Sequence, residues 1–227
     1  MRTPRILVAC EYSGIVRDAF AARGWDAWSC DLLPSERPDG QHYQGDVNEI
    51  LSDNWDLLIA HPPCTYLTNS GVGHMYLGKG KEAKAALGYT IDPERWKNME
   101  EGAAFFNLFL STNIPHVAVE NPVMHGWGIE RVGGSATQFV QPYHFGHTES
   151  KKTGLRLINL PPLVASNDVT ELFKSLPKSE THKVHRASPG PNRWKDRSRT
   201  YPAIAQAMAD QWGPYIEDLI AQEQEAA

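Results

Sequence analysis

The run Trp55-Asp56-Leu57-Leu58-Ile59-Ala60-His61-Pro62-Pro63-Cys64 constrains this chain more than any other stretch. Its first half is a short apolar run of the kind that makes a buried strand of a parallel sheet. Two prolines then end it. Proline brings no N–H to a ladder and fixes φ, so the chain must leave the sheet at Pro62-Pro63 as a stiff loop. The residue that loop delivers is Cys64. Ligands of open α/β sheets bind at the carboxyl ends of the strands, so a thiol held there has the placement of a nucleophile. An isolated cysteine is more often a core thiol; the rigid Pro-Pro before this one favours the nucleophile.

Val117-Ala118-Val119-Glu120-Asn121-Pro122 is a second strand ending in a proline, and it delivers a carboxylate. Strand–Pro-Pro-Cys and strand–Glu-Asn-Pro together resemble the cytosine-C5 DNA methyltransferase family, and most closely its short phage-type members. In that family the Pro-Cys loop carries the nucleophile and the Glu-Asn segment carries the base-binding acid. The resemblance implies an α/β fold: a Rossmann-like S-adenosylmethionine-dependent methyltransferase fold, mostly parallel, with helices on both faces and a reduced basic recognition segment. Self-protection of the restriction-modification kind is among the roles such proteins fill.

The remaining sequence fits one α/β domain. A chain of 227 residues, 41% hydrophobic, can bury one core with a small appendage. Strand and helix patterns alternate, which points to a parallel sheet whose strands end near residues 10, 31, 60 and 119 on one cleft. No apolar stretch reaches membrane-spanning length and the N-terminus lacks a signal-peptide pattern, so the expectation is a cytoplasmic protein without membrane partners. Cys10, Cys30 and Cys64 have no regular spacing, and the histidines His125, His144 and His147 match no zinc signature. Neither a disulfide framework nor a metal is expected, and a free thiol suits a reducing compartment.

Arg5 to Cys10 reads as the first strand, Glu11 to Gly14 as a turn, and Ile15 to Arg23 as a helix that Gly24 ends. A strand, glycine turn and helix offer backbone N–H groups to a cofactor. Trp25 to Asp31 reads as a second strand ending in an acid, either a solvated loop aspartate or one placed to accept ribose hydroxyls. The family usually has Phe-x-Gly-x-Gly at the first turn; here Ser13-Gly14 remains and the second glycine is missing. Gly45-Asp46-Val47 resembles its third motif. The cofactor implied is S-adenosylmethionine, held by Glu11, Tyr12, Ser13, Gly14, Ile15, Asp31, Asp46 and Pro62.

Beyond Cys64, residues 65–84 are polar and glycine-rich and read as a lid or as an ordinary surface loop. Asp92 to Thr112 is the clearest helix, its stripe of Trp96, Met99, Ala103, Phe106 and Leu110 read as core. Residues 151–199 hold eleven cations against four anions, a net +7, so the rest of the chain carries −12 toward its total of −5. Charge segregated in this way suits a phosphate-facing surface. Within it, Lys195-Asp196-Arg197-Ser198-Arg199 resembles the family's Gln-x-Arg-x-Arg motif, with Lys195 in place of the Gln. Full-length members place a long recognition region after that motif. Here Tyr201 follows Thr200 directly, so recognition falls to residues between about 123 and 195. Tyr201 to Trp212 reads as a helix followed by a second short one.

The organisation expected is a cofactor and catalytic core over 1–122, a basic recognition segment over 123–200 and C-terminal helices over 201–227. The resemblance implies catalytic roles for Cys64, Glu120, Arg197 and Arg199, and substrate contacts for Pro63, Asn121, Pro122 and Lys195. The partner implied is DNA, duplex or single-stranded, or a cytosine nucleotide; the oligomeric state is open. Two other readings compete. An amino-methyltransferase uses an Asp/Asn-Pro-Pro-aromatic loop, but His61 and Cys64 stand at its ends here. A nucleic-acid-binding protein that kept the fold and lost cofactor binding would also account for the missing glycine.

Overall fold

The computed structural model describes residues 2–77, 90–186, 190 and 193–226. Strand β1 (Arg5–Ala9) leads into α1 (Ile15–Ala21), β2 (Asp26–Asp31) and the short β3 (His42–Gln44). Then come β4 (Leu57–Ala60), α2 (Pro93–Leu110), β5 (His116–Pro122) and α3 (Gly126–Arg131). Strands β6 (Gln138–Val140) and β7 (Thr153–Ile158) complete the sheet. Four short helices follow: α4 (Thr170–Ser175), α5 (Lys178–Thr181), α6 (Lys183–Arg186) and α7 (Arg193–Ser198). The long α8 (Pro202–Ala226) closes the described chain.

The sheet order is β3-β2-β1-β4-β5-β7-β6. The first five of these strands run parallel, β7 is antiparallel to β5, and β6 is antiparallel to β7. This is the Rossmann-like, mostly parallel architecture that the sequence predicts. Its last two strands come from residues 138–158, inside the segment expected over 123–200 to serve recognition.

Both faces of the sheet are covered, and alternation along each strand assigns the residues. Ile6 and Val8 of β1, with Leu57 and Ile59 of β4, pack with Val16 and Phe20 of α1 and Met208 and Trp212 of α8. Leu7 and Leu58 point the other way, into a core with Met99, Phe106 and Phe109 of α2. Asp92 starts α2 by accepting from the N–H groups of Glu94 and Arg95, with Pro93 at its first position, where no partner is needed.

Helix α8 departs from the expected pair of helices. It runs through Pro214 without a break. A proline inside a helix costs ~3 kcal/mol. Trp212, Ile216 and Ile220 lie on one face across that point, each at most 5% exposed. Burying each contributes ~1.5–3 kcal/mol, so packing outweighs the proline. Gly213 allows the close approach: a Cβ there would lie 2.1 Å from the Trp25 ring.

The pairings Ala9↔Cys30, Ala9↔Ala60 and Ala60↔Val119 set the strand ends level. Cys10, Asp31, His61 and Glu120, each the next residue along, therefore form one row at the carboxyl edge. Among the described residues no helix is long and apolar enough to cross a membrane.

Candidate active site

The Pro62-Pro63-Cys64 loop begins where β4 ends. The His61 N–H still reaches the Ala9 carbonyl, 2.9 Å away, one step past the strand. Pro62 is buried and Pro63 exposed, and the chain turns at once. The N–H groups of Leu67 and Thr68 both donate to the Cys64 carbonyl at 3.1 Å, which closes the turn. Asn69 N–H then donates to Val123 O at 2.8 Å, pinning the loop to the chain just beyond Glu120.

His125 completes that clamp. Its Nε2–H donates to the Tyr66 carbonyl at 2.8 Å, and its Nδ1 accepts from the Gly128 N–H at 3.0 Å as the cap of α3. The ring is 3% exposed. In the described part of the stretch read as a lid, Leu67 and Met75 are fully buried, while Asn69, Ser70 and His74 are exposed. The remainder of that stretch falls within 78–89, outside the described residues.

Glu120 meets a partner that the sequence reading did not assign. His61 Nδ1 lies 2.5 Å from Glu120 Oε2, with the two side chains 12% and 11% exposed. Burial by itself would push the His61 pKa down. The charge and hydrogen bond of Glu120 outweigh it and hold that pKa above the ordinary value. Burial by itself would push the Glu120 carboxyl up; the His61 charge and hydrogen bond, helped by Lys151, bring it below the ordinary value. At rest Glu120 is the anion of the pair and the proton sits on His61.

Burial, and then the charge of Glu120, raise the Cys64 pKa; Lys151 and Arg197 oppose them. Cys64 therefore rests as a thiol, with two cations whose charges favour its thiolate. Lys151 Nζ donates to the carbonyls of Ser198 and Arg199 at 3.4 and 2.8 Å. Arg199 itself pairs with Glu36 at 2.8 Å. Lys195 Nζ stands 5.7 Å from the Tyr12 ring centroid and 5.6 Å from that of Trp194, which is half-exposed. The charges of Lys151 and Arg197 thus bear on Cys64, Lys195 lies by the Tyr12 and Trp194 rings, and Arg199 reaches the loop after β2.

At the first turn Glu11 is buried and caps α1, accepting from the N–H groups of Val16 and Arg17 at 2.7 and 3.1 Å and from the Ser13 hydroxyl at 3.1 Å. Ser13 Oγ accepts from the Ile15 N–H at 3.4 Å. These first-turn donors are taken up inside the chain. Gly14 has φ +68°, and a Cβ there would meet the buried Arg17 guanidinium at 2.5 Å, so glycine is required twice over. The Tyr12 hydroxyl lies 3.3 Å from Ser198 Oγ, which docks α7 on this turn.

Asp31 ends β2 half-buried, accepting from the Leu33 N–H at 2.9 Å, and burial raises its pKa. Asp46 caps the turn after β3 by accepting from Asn48 N–H at 2.9 Å. The charges of Asp31 and Asp46 both bear on Cys10, which ends β1 at φ +58°. Two carboxylates and an unusual backbone turn at adjacent strand ends suit neutral donors such as ribose hydroxyls and an amino group. The residues present therefore fit an adenosyl cofactor.

Asn121 is separated from this group. It alternates with Glu120 along β5, so its side chain faces the α2 layer, in a cleft with Phe106, Val119 and Met124. It is 4% exposed and both amide atoms lack a hydrogen-bond partner among the described residues. Pro122 ends the strand half-buried beside the same cleft.

No protein-family model matches the sequence, and no curated protein matches it. Among solved structures, the chain is similar to a DNA modification methyltransferase encoded within an E. coli prophage, with 15% identity and a TM-score of 0.43. It is similar to the Entamoeba histolytica methyltransferase EhMeth, with 14% identity and a TM-score of 0.44. It is also similar to the S. pombe Dnmt2 methyltransferase, with 15% identity and a TM-score of 0.39. These likenesses cover 77%, 74% and 85% of this chain and 56%, 58% and 63% of the respective solved chains. This chain therefore spans less than two thirds of the length of each.

Proposed function

We propose that this protein transfers a methyl group from S-adenosylmethionine to C5 of cytosine in DNA, through a covalent bond between Cys64 and C6 of the base. What supports the reading is that the charges of Glu120, Lys151 and Arg197 all bear on Cys64, just past the end of β4. Cytosine C5 is too weak a nucleophile to take a methyl group unaided. A thiolate adding to C6 turns the ring into an enamine, nucleophilic at C5. Lys151 and Arg197 stabilise that thiolate, and the His61–Glu120 pair faces the charge that develops at N3.

S-adenosylmethionine, when bound, supplies the electrophilic methyl group. Asp31 and Asp46 would hold its ribose and amino groups, beside the turn formed by residues 11–15. The Pro-Pro loop keeps Cys64 fixed against the row of strand ends, which shortens the search for a reactive geometry. Loss of the C5 proton and elimination of the thiol regenerate the enzyme.

A polynucleotide suits the site better than a free nucleotide. Trp194 is half-exposed with Lys195 over its ring, a combination that stacks a base while facing phosphate. In a duplex the target base must leave the stack, since C6 and N3 are not accessible within it. Residues 123–200 outside β6 and β7 would then contact the DNA.

The deciding experiment uses DNA carrying 5-fluorocytosine, in which the final proton loss is blocked. With S-adenosylmethionine present, a covalent adduct should accumulate on Cys64 and be located by peptide mass spectrometry. Cys64→Ser should form none while still binding the cofactor. Normal turnover by Cys64→Ser would sink the C5 mechanism and restore the amino-methyltransferase reading. Failure of the wild-type protein to bind S-adenosylmethionine would favour the non-catalytic one.

A further inference from the structure

We infer that His61 is the positioning residue of Glu120 and the store of the proton that Glu120 hands to the base. The inference rests on the C5 reading above and adds a residue to it. His61 is fixed from both sides: its N–H is hydrogen-bonded to Ala9 O at 2.9 Å, and the next residue is a buried proline. Its ring Nδ1 is 2.5 Å from Glu120 Oε2, and neither side chain is more than 12% exposed. Two groups so close and so dry share one proton.

The surroundings decide where that proton rests. Glu120 faces the ring from β5, and Glu11 adds a second negative charge from the turn after β1. Lys151, just before β7, opposes them, and Cys64 on the ring's own loop is a thiol. The anions prevail and the imidazolium is kept. Its other nitrogen, Nε2, is buried with no hydrogen-bond partner among the described residues, so the ring is held through Glu120.

This arrangement answers a difficulty in the mechanism. A carboxylate that is ionised at rest has no proton of its own to give. As sulfur bonds to C6, the C5–C6 π pair moves through C4 and its electrons arrive at N3. N3 takes a proton from Glu120, and Glu120 takes the one on His61 Nδ1. The Cys64 proton leaves to water. After methylation, the C5 proton leaves to water, the C5–H pair re-forms the C5–C6 double bond, and sulfur departs with the C6–S pair. The N3 proton then returns through Glu120 to His61, and Cys64 regains a proton from water. A lone buried glutamate would have to draw a proton from solvent in each cycle.

The test has a resting-state arm and a reactive arm. In the resting protein with ring-labelled histidine, NMR should show His61 titrating above the ordinary histidine value, and Glu120→Gln should lower it. A wild-type His61 titrating at or below that ordinary value overturns the inference, whether or not any variant folds. In the reactive arm, His61→Gln keeps a donor beside Glu120 but stores no proton. Its rate of adduct formation with 5-fluorocytosine DNA should fall at least tenfold at neutral pH and recover as pH is lowered. A profile parallel to wild type at every pH would mean that His61 only packs, and overturns the inference while the C5 reading stands. If wild type forms no adduct at all, the C5 reading fails and the inference falls with it, even where the NMR coupling is present.

Discussion

Lys151 Nζ donates to the Arg199 carbonyl at 2.8 Å, so a lysine whose charge bears on Cys64 and Glu120 also holds the end of the arginine segment. One side chain thus couples the thiol's acidity to the position of the basic surface. The residue sits just before β7, on a segment that joins the sheet, which keeps the cation from swinging away.

Lys151→Met should therefore raise the Cys64 pKa further, because burial and Glu120 already push it up and a cation that opposed them is gone. Alkylation of Cys64 by iodoacetamide, followed by peptide mass spectrometry, should be several-fold slower at mildly alkaline pH. Its midpoint should move to higher pH. Cys10 and Cys30 serve as internal references, since burial and then the charge of Asp31 raise both. An unchanged Cys64 midpoint would remove Lys151 from the site.

Arg197→Ala makes a second case. Its charge reaches Cys64, and under the proposed function it also meets phosphate. DNA affinity should fall as salt rises, and the variant's log–log slope should be shallower by about one. Binding that ignores salt in both proteins would leave the basic segment as a solvated face.

Gly213→Ala tests the packing of α8. Alanine would gain ~1 kcal/mol of helix propensity over glycine. Its Cβ, however, would fall 2.1 Å from the Trp25 ring, which packs against the main core. Overpacking of that kind costs ~1–3 kcal/mol, so the net effect should be a loss of stability in chemical denaturation. Trp25→Leu should relieve part of it. A stabilised Gly213→Ala would mean that the helix does not approach Trp25 so closely.

The strands that carry Cys64 and Glu120 were legible because their signals are local: an apolar run, a proline and a chemically distinctive residue. The pairing of His61 with Glu120 was not. It spans 59 positions and exists because β4 and β5 are neighbours in register, a fact no local pattern contains. Strand β7 was hidden by charge, although Gly154-Leu155-Arg156-Leu157-Ile158 carries apolar residues at alternate positions. Arg17 on α1 is fully buried, which was not foreseen at all. Its guanidinium donates to the Arg37 carbonyl at 2.9 Å and to the hydroxyls of Ser29 and Ser35 at 3.1 and 3.2 Å, all partners from other segments. The two helices expected after Tyr201 are one, because Trp212, Ile216 and Ile220 continue a buried face past the proline.

The His61–Glu120 pair should also be visible in how stability depends on pH. The folded His61 pKa lies above its ordinary 6.5, so its contribution is complete below that value and is lost as pH rises through the folded pKa. The folded Glu120 pKa lies below its ordinary 4.5, so its contribution is complete above that value and is lost as pH falls through the folded pKa. Both contributions are complete together between pH 4.5 and 6.5. Removing one partner of a buried pair typically costs ~3–5 kcal/mol. Glu120→Gln should approach that loss within the window, measured by urea denaturation at a series of pH values. The difference from wild type should shrink at higher pH, where His61 sheds its proton in both proteins, and at lower pH, where Glu120 gains one. A difference that stays constant from acid to alkali would mean the two side chains meet as neutral groups, and the proton would not be resting on His61.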